Sequence, residues 1–372
     1  MTASSINEIA FALRPASNPV PAAERDRRLA EPGFGRIFTD HMVTASWSPE
    51  RRWHDGQLGP YGPIPLDPAT SVLHYAQEIF EGLKAYRQPD GAIVAFRPDA
   101  NAARFARSAA RMAMPELPAA AFIRAIDMLV GQDHSWVPAA REQSLYLRPF
   151  MIATQPYLGL SHPSLMFLFV LIASPAGSYF GGGVRPVSVW LAHDYTRAAV
   201  GGTGAVKAGG NYGGGFAAQR QAHENGCDQV VWLDPGEHRW VEEMGGMNLF
   251  FVYGSGAGAR ITTPALTGSL LPGITRDSLL RIAPDLGIGA SEGRISVDDW
   301  QAGCASGEIT EVFACGTAAA ITPVGLVKGA AGSWMIGDGV TPGPVTMRLR
   351  EQLLGIQFGE IPDPYGWIHK IL

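Results

Sequence analysis

Short apolar runs of strand length recur along this chain, and between them apolar residues return at helical spacing. Residues 38–47 and 80–86 predict strands. Asp99 is placed to cap a helix running to Met114, where Ala, Arg and apolar residues repeat at helical spacing. A second helix is predicted over 118–130, and strands over 144–153 and 165–173. Residues 1–32 are mixed, with Pro and Ala, and predict an extended arm. In 175–186 (PAGSYFGGGVRP), Gly and Pro punctuate the chain without apolar periodicity. Beyond it, strands are predicted over 187–192, 229–233 and 249–253, and helices over 214–225, 275–287 and 297–305. No internal repeat or low-complexity tail breaks this order. The pattern is that of an α/β or α+β enzyme of two domains, divided near 175–186, with an active site expected between them.

Composition agrees with that picture. The chain has 372 residues, 46% apolar and 17% charged. At roughly 150 residues per domain this suggests two domains with a large buried core. A net charge of −5 gives no electrostatic case for nucleic acid or for an anionic membrane surface. Cys227, Cys304 and Cys315 form no CxxC pair. That argues against a disulfide framework and a zinc site, predicts no metal, and fits a reducing cytoplasm. Residues 1–21 lack the basic start and apolar stretch of a secretory signal. The longest apolar run, 165–173, is too short to cross a bilayer and predicts a buried strand.

The candidate chemistry begins at a lysine. Only Lys84, Lys207, Lys328 and Lys370 occur, and Lys207 sits in the glycine-rich stretch 201–215 with no other charge between Arg197 and Arg220. A lysine that forms a Schiff base must be neutral to attack a carbonyl, and desolvation lowers its pKa from about 10.4. An apolar, glycine-lined setting supplies desolvation and room for a flat ring. The alternative is a glycine-rich phosphate loop with Lys207 as a point charge. The P-loop pattern is absent, since Val206 precedes the lysine and Ala208 follows it. Spacing alone leaves both open.

A pyridoxal ring on that lysine needs an acid near its nitrogen. Of Glu242 and Glu243, Glu243 is preferred; the alternative is a solvated turn with two surface carboxylates. Residues 271–276 (LPGITR) open an amphipathic helix whose N-terminus would suit an anion, unless Thr275 is merely its N-cap. Gly316-Thr317-Ala318, after the strand-like 311–315, is a second candidate loop. Arg104 could add charge to a phosphate or be a surface arginine on an Arg-rich helix. Tyr75, Tyr146, Arg148 and Tyr179 lie in or beside apolar strand-like runs, either packed in a core or turned into a pocket to hold a carboxylate.

Taken together, these segments resemble the branched-chain aminotransferases among the fold-type IV pyridoxal-phosphate enzymes. The matching stretches are 38–42 (FTDHM), 73–75 (LHY), 80–84 (FEGLK), 146–149 (YLRP), 201–213, 243–248 (EMGGMN), 271–276 and 316–318, in the family's order over nearly the whole chain. The resemblance implies a smaller N-terminal α/β domain over 1–178, an interdomain loop over 179–193 and a larger cofactor-binding domain over 194–372. It implies pyridoxal 5′-phosphate joined to Lys207, which shuttles the proton between substrate and cofactor. Glu243 would pair with the ring nitrogen and Tyr212 with the phenolic oxygen. Arg104, Ile274, Thr275 and Thr317 would hold the phosphate. Tyr75 and the backbone at Thr317 and Ala318 would receive the substrate carboxylate, with Tyr146 and Arg148 in the same pocket. Phe34, Phe80, Tyr179 and Ala318 would shape an apolar side-chain pocket. The partners implied are amino acids, 2-oxo acids and a second copy in a homodimer. Two departures stand out. The family's animal members carry a redox CxxC pair where this chain has Ala319 and Thr322, and some relatives have Thr at the position of Gly246.

Rival readings share the fold: a D-amino-acid aminotransferase, or a lyase acting on aminodeoxychorismate. A basic pocket would favour them, whereas the Phe and Tyr set favours an aliphatic side chain. A nicotinamide-dependent dehydrogenase is weaker still. Residues 254–258 (GSGAG) lack the full GxGxxG, and 260–264 does not continue as a helix, so a tight turn between strands is expected there.

Overall fold

The computed structural model describes residues 9–177 and 183–372. The chain divides into two compact units, Met1–Ser178 with Lys207–Gly209 and Gln357–Leu372, and Tyr179–Val206 with Gly210–Ile356. The split is not contiguous in sequence, unlike the expected one, because the C-terminal strand and the lysine segment both pack with the first unit.

In the first unit the order is β1 (Ala12–Leu13), α1 (Ala22–Ala30), β2 (His41–Ser48), β3 (Arg52–Pro60), α2 (Ser71–Tyr75), β4 (Glu78–Phe80), β5 (Leu83–Arg87), β6 (Ile93–Phe96), α3 (Pro98–Arg111), α4 (Ala119–Gln132), β7 (Ser144–Ala153) and β8 (Phe167–Ala176). The last strand of the chain, β18 (Ile368–Lys370), completes its sheet, in the order β1-β3-β2-β8-β7-β5-β6-β18 with β4 on β7. Strand β7 shows how sequence sets faces. Leu145, Leu147 and Met151 are fully buried, while the intervening Tyr146, Arg148 and Phe150 are only half-buried on the opposite side. Helices α3 and α4 cover the buried face through Phe105, Phe122, Ile126 and Leu129.

The second unit holds β9 (Val187–Ala192), α5 (Gly210–Gly213), α6 (Phe216–Glu224), β10 (Gln229–Leu233), β11 (Val241–Met244), β12 (Met247–Tyr253), β13 (Arg260–Pro264), α7 (Ile274–Asp285), β14 (Gly289–Gly293), α8 (Val297–Ser306), β15 (Ile309–Gly316), β16 (Ala320–Gly329), β17 (Gly332–Met335) and α9 (Pro344–Gln357). The path β11-β10-β9-β16-β15-β12 closes on itself where β12 also pairs with β11, giving a ring of six strands filled by Val231, Leu249, Phe251 and Val312.

The structure corrects several local expectations. Residues 22–30 are helical rather than extended. None of them is fully buried and only Leu29 packs partly against the core, so the apolar signal is weak; Glu24 supports the helix through Arg27 and Arg28. The predicted strand 80–86 is two strands, broken at Glu81-Gly82. Helix α3 starts from Arg97, held at φ 52° with Pro98 first in the helix, so Asp99 lies inside it and does not cap it. Tyr75 ends the short helix α2 and is not in a strand. Thr275 is the second residue of α7, whose N-cap position is Gly273. Helix α9 and strand β3 were not anticipated. The turn at 254–258 joins the antiparallel β12 and β13, as expected, with Gly254 and Gly256 at positive φ. No helix among the described residues is long and apolar enough to cross a membrane.

Candidate active site

Lys207 is half-buried, and its backbone is pinned on both sides. Its N–H donates to Ser108 Oγ at 3.0 Å, and its carbonyl accepts the Phe80 N–H at 3.0 Å. Its ammonium lies 4.8 Å from the Phe80 ring centroid. Two residues on, a side chain at Gly209 would displace the Glu78 carboxylate from its present position. The other lysines stand elsewhere: Lys84 is buried on β5, Lys328 donates to Asn225 O at 3.1 Å, and Lys370 is exposed on β18.

The same Phe80 ring meets a second cation. The Arg148 guanidinium is 4.7 Å from the Phe80 centroid and 5.3 Å from that of Tyr146, whose hydroxyl accepts from Arg148 Nη2 at 2.9 Å. Phe34 packs edge-on against Tyr146 with centroids 5.1 Å apart. Gly82 makes this possible, since a Cβ there would lie 2.1 Å from the Tyr146 oxygen. Arg148 Nε is buried without a hydrogen-bond partner among the described residues, which suits an anionic guest. Burial pushes the Glu78 carboxyl up, and Arg148 opposes this. Thus Phe34, Phe80, Tyr146, Arg148 and Lys207 gather in the first unit. Tyr75 does not join them: it is 40% exposed and its hydroxyl donates to Leu158 O. Tyr179 lies outside the described residues.

Arg104 is not a surface residue. Helix α3 turns Asn101, Arg104 and Ser108 inward on one face. Arg104 Nε and Nη2 donate to the two oxygens of Glu81 at 2.6 and 2.8 Å, and Asn101 Nδ2 donates to Glu81 Oε2 at 2.7 Å. Burial alone would push the Glu81 carboxyl up. The charge and hydrogen bonds of Arg104, then Lys207 and Asn101, reverse this and hold it below the usual range.

In the second unit, Glu242 and Glu243 are both buried on β11, which removes the reading of a solvated turn. Glu243 Oε1 accepts the Leu271 N–H at 2.5 Å and faces Arg197 Nη2 at 3.4 Å. Arg197 also donates to Gly204 O at 3.1 Å and to Ser269 O. Asn248, opposite Glu243 across the hairpin, donates to Leu271 O at 3.0 Å, and its oxygen occupies the space a Gly273 side chain would need. The turn that opens α7 is therefore held at both its N–H and its carbonyl. No side chain caps that helix; Ile274 is half-buried and Thr275 buried in its first turn. Thr317 and Ala318 are half-buried in the three-residue hairpin loop closed by the Gly316–Ala320 pair. Tyr212, on α5, borders a cavity of about 370 Å³ with Arg197, Trp232 and Gly246. A Cβ at Gly246 would stand 3.3 Å from the Tyr212 ring, so a side chain there would make the ring give by a few tenths of an ångström.

Sequence reasoning missed Glu81, Arg197 and Asn248. Glu81 stood inside a quoted motif but offered no sign of burial. Arg197 was noted only as the edge of a charge-free stretch, and nothing local marked its long-range partners.

Residues 78–327 match the family described as Amino-transferase class IV. A probable branched-chain-amino-acid aminotransferase of Streptomyces coelicolor is 59% identical over 360 residues, spanning 96% of this chain and 98% of that protein. The branched-chain-amino-acid aminotransferase of Mycobacterium tuberculosis is 57% identical over 372 residues, the whole of both. Among solved structures, a T.th. branched-chain amino acid aminotransferase complexed with N-(5′-phosphopyridoxyl)-L-glutamate superposes with a TM-score of 0.72 at 29% identity, covering 89% of this chain and 99% of that one. The chain belongs to the branched-chain-amino-acid aminotransferases of the class IV, fold-type IV family.

Proposed function

We propose that the chain transfers amino groups between L-leucine, L-isoleucine or L-valine and 2-oxoglutarate, with Lys207 joined to the cofactor, and that it works as a cytoplasmic homodimer. The cofactor of this family is pyridoxal 5′-phosphate. The residues present fit it: α7 opens with no side-chain cap, Gly246 leaves space beside Tyr212, and Lys207 is fixed at its backbone while its side chain is not fully buried. When bound, the cofactor supplies the electron sink and carries the amino group between substrates.

Each residue then has a task. Lys207 Nζ removes and returns the proton at the substrate α-carbon. Glu243 holds the ring nitrogen's proton, and Arg197 with the Leu271 N–H orients that carboxylate. Tyr212 donates to the phenolic oxygen. The N–H groups at Ile274 and Thr275, with the hydroxyls of Thr275 and Thr317 and the Arg104 guanidinium, bind the phosphate. The backbone at Thr317–Ala318 takes the substrate carboxylate; Tyr75, turned to Leu158 O, is not given that task. Phe34, Phe80 and Tyr146 wall the side chain, a contact worth roughly 1.5–3 kcal/mol for a leucine.

One observation carries the substrate reading: a wall of Phe34, Phe80 and Tyr146 beside the Arg148 guanidinium, whose Nε is buried without a hydrogen-bond partner among the described residues. Such a pocket accepts an aliphatic chain by burial and a distal carboxylate through Arg148. The test is turnover per Michaelis constant for L-Leu, L-Ile, L-Val, L-Phe and D-Ala with 2-oxoglutarate. The three branched substrates should lead and differ from one another by less than about 200-fold. Preference for D-Ala, or no activity with any branched substrate, would overturn the reading.

A further inference from the structure

We propose that Glu81 is a positioning residue for the cofactor's phosphate, acting through Arg104; this rests on the reading of Arg104 as a phosphate ligand. Glu81 lies in the bend between β4 and β5, is 0% exposed, and meets no solvent that could repay its charge. Its two oxygens engage one edge of the guanidinium, Nε and Nη2, in a side-on pair at 2.6 and 2.8 Å. That geometry fixes the plane of the guanidinium and turns its other edge, carrying Nη1, away from the carboxylate. Asn101 Nδ2 and the Gly82 N–H hold Glu81 Oε2 in turn, at 2.7 and 3.2 Å. Asn101 also donates to Gly82 O at 3.3 Å, which ties the carboxylate to the bend that admits Tyr146.

The bend has a further connection. Phe80, the residue before Glu81, donates its N–H to the carbonyl of Lys207, and Ser108, one turn beyond Arg104 on α3, accepts the Lys207 N–H. The segments that carry the cofactor's covalent anchor and its proposed phosphate ligand are thus fastened to the same bend and helix. A loose arginine would lose rotamer freedom on meeting a phosphate; one already clamped by Glu81 has lost it beforehand.

The test compares ligands with and without the phosphate. Apo-protein is titrated with pyridoxal 5′-phosphate and with pyridoxal, following tryptophan fluorescence. Glu81→Gln should raise the dissociation constant for pyridoxal 5′-phosphate about tenfold or more, and that for pyridoxal by less than about twofold, because what is lost is the clamp that orients the Arg104 charge. A purely structural role would weaken both ligands equally, and that outcome would overturn the inference. Arg104→Gln should show the same split. If it shows none, the reading of Arg104 on which the inference rests is wrong; if it shows a split that Glu81→Gln lacks, the role of Glu81 alone is wrong. Should Glu81→Gln fail to fold, Asn101→Ala decides. It removes one donor and keeps the ion pair, so a phosphate-dependent loss of about threefold is expected, and an unchanged ratio would refute the proposal.

Discussion

Two regions of this molecule bury glutamates, and they treat them in opposite ways. Glu81, between β4 and β5, receives a paired guanidinium, a side-chain amide and a backbone N–H, and its carboxyl is held below the ordinary range. Glu242, on β11, receives the Ser269 hydroxyl on one oxygen, while the other, Oε2, is buried with no hydrogen-bond partner among the described residues. Burial pushes its carboxyl up; Ser269 and Arg197 offset this only in part, and Glu243 beside it adds to the rise. Both carboxyls are buried, so burial alone does not set the charge. The number and sign of the donors do, and the carboxylate that is fully met is the one wired to Arg104 and Lys207.

The contrast can be broken by removing each charge in turn. The largest effect is expected at Glu81→Gln, which leaves Arg104 buried without its counter-charge. Urea unfolding at pH 7 should show a loss of about 3 kcal/mol. A lowered carboxyl contributes stability above its unfolded pKa of about 4.3 that is lost as pH falls through the folded value. The gap between wild type and variant should therefore close in acid. A gap that is constant with pH would show that the charge is not what stabilises.

Next comes Glu243→Gln. Its folding should survive, because an amide oxygen can still accept from Leu271 and Arg197. Steady-state turnover should fall about 100-fold, since a neutral amide cannot hold the ring nitrogen protonated. Unchanged turnover would move that role to Glu242.

Smaller, and opposite in sign to Glu81, is Glu242→Gln. A raised carboxyl contributes stability that is full below about pH 4.3 and lost as pH rises through the folded value. The variant should therefore match wild type in acid and equal or exceed it at pH 8 in the same unfolding measurement. A loss at pH 8 would mean that Glu242 is charged and paired.

The smallest effect is expected from oxidation. Burial pushes the Cys304 thiol up to about 11 and raises those of Cys227 and Cys315. Thiolate is therefore scarce at neutral pH, and Ala319 and Thr322 offer no thiol pair. Turnover should be unchanged after mild peroxide. A reversible loss restored by a thiol reductant would contradict this.

What the sequence made legible follows the same division between local and distant causes. Strands β7, β9 and β10 were bounded to the residue because short apolar runs are local signals. Lys207 stood out through its uncharged glycine surroundings. Helix α1 was missed because only Leu29 packs partly against the core, and the break at Glu81-Gly82 because the Tyr146 hydroxyl that leaves no room for a side chain at Gly82 lies on another strand. The partners of Arg104, Arg197 and Asn248 are distant in sequence, and only folding brings them together. The closeness of Gly246 to the Tyr212 ring had no local signal either.

The central claim is that one lysine of four carries the cofactor. Reducing the holo-protein with borohydride and mapping its peptides by mass spectrometry tests it directly. The account predicts the phosphopyridoxyl group on Lys207, in the segment pinned by Phe80 and Ser108. Finding it on Lys84, Lys328 or Lys370, or finding no covalent adduct, would contradict the account.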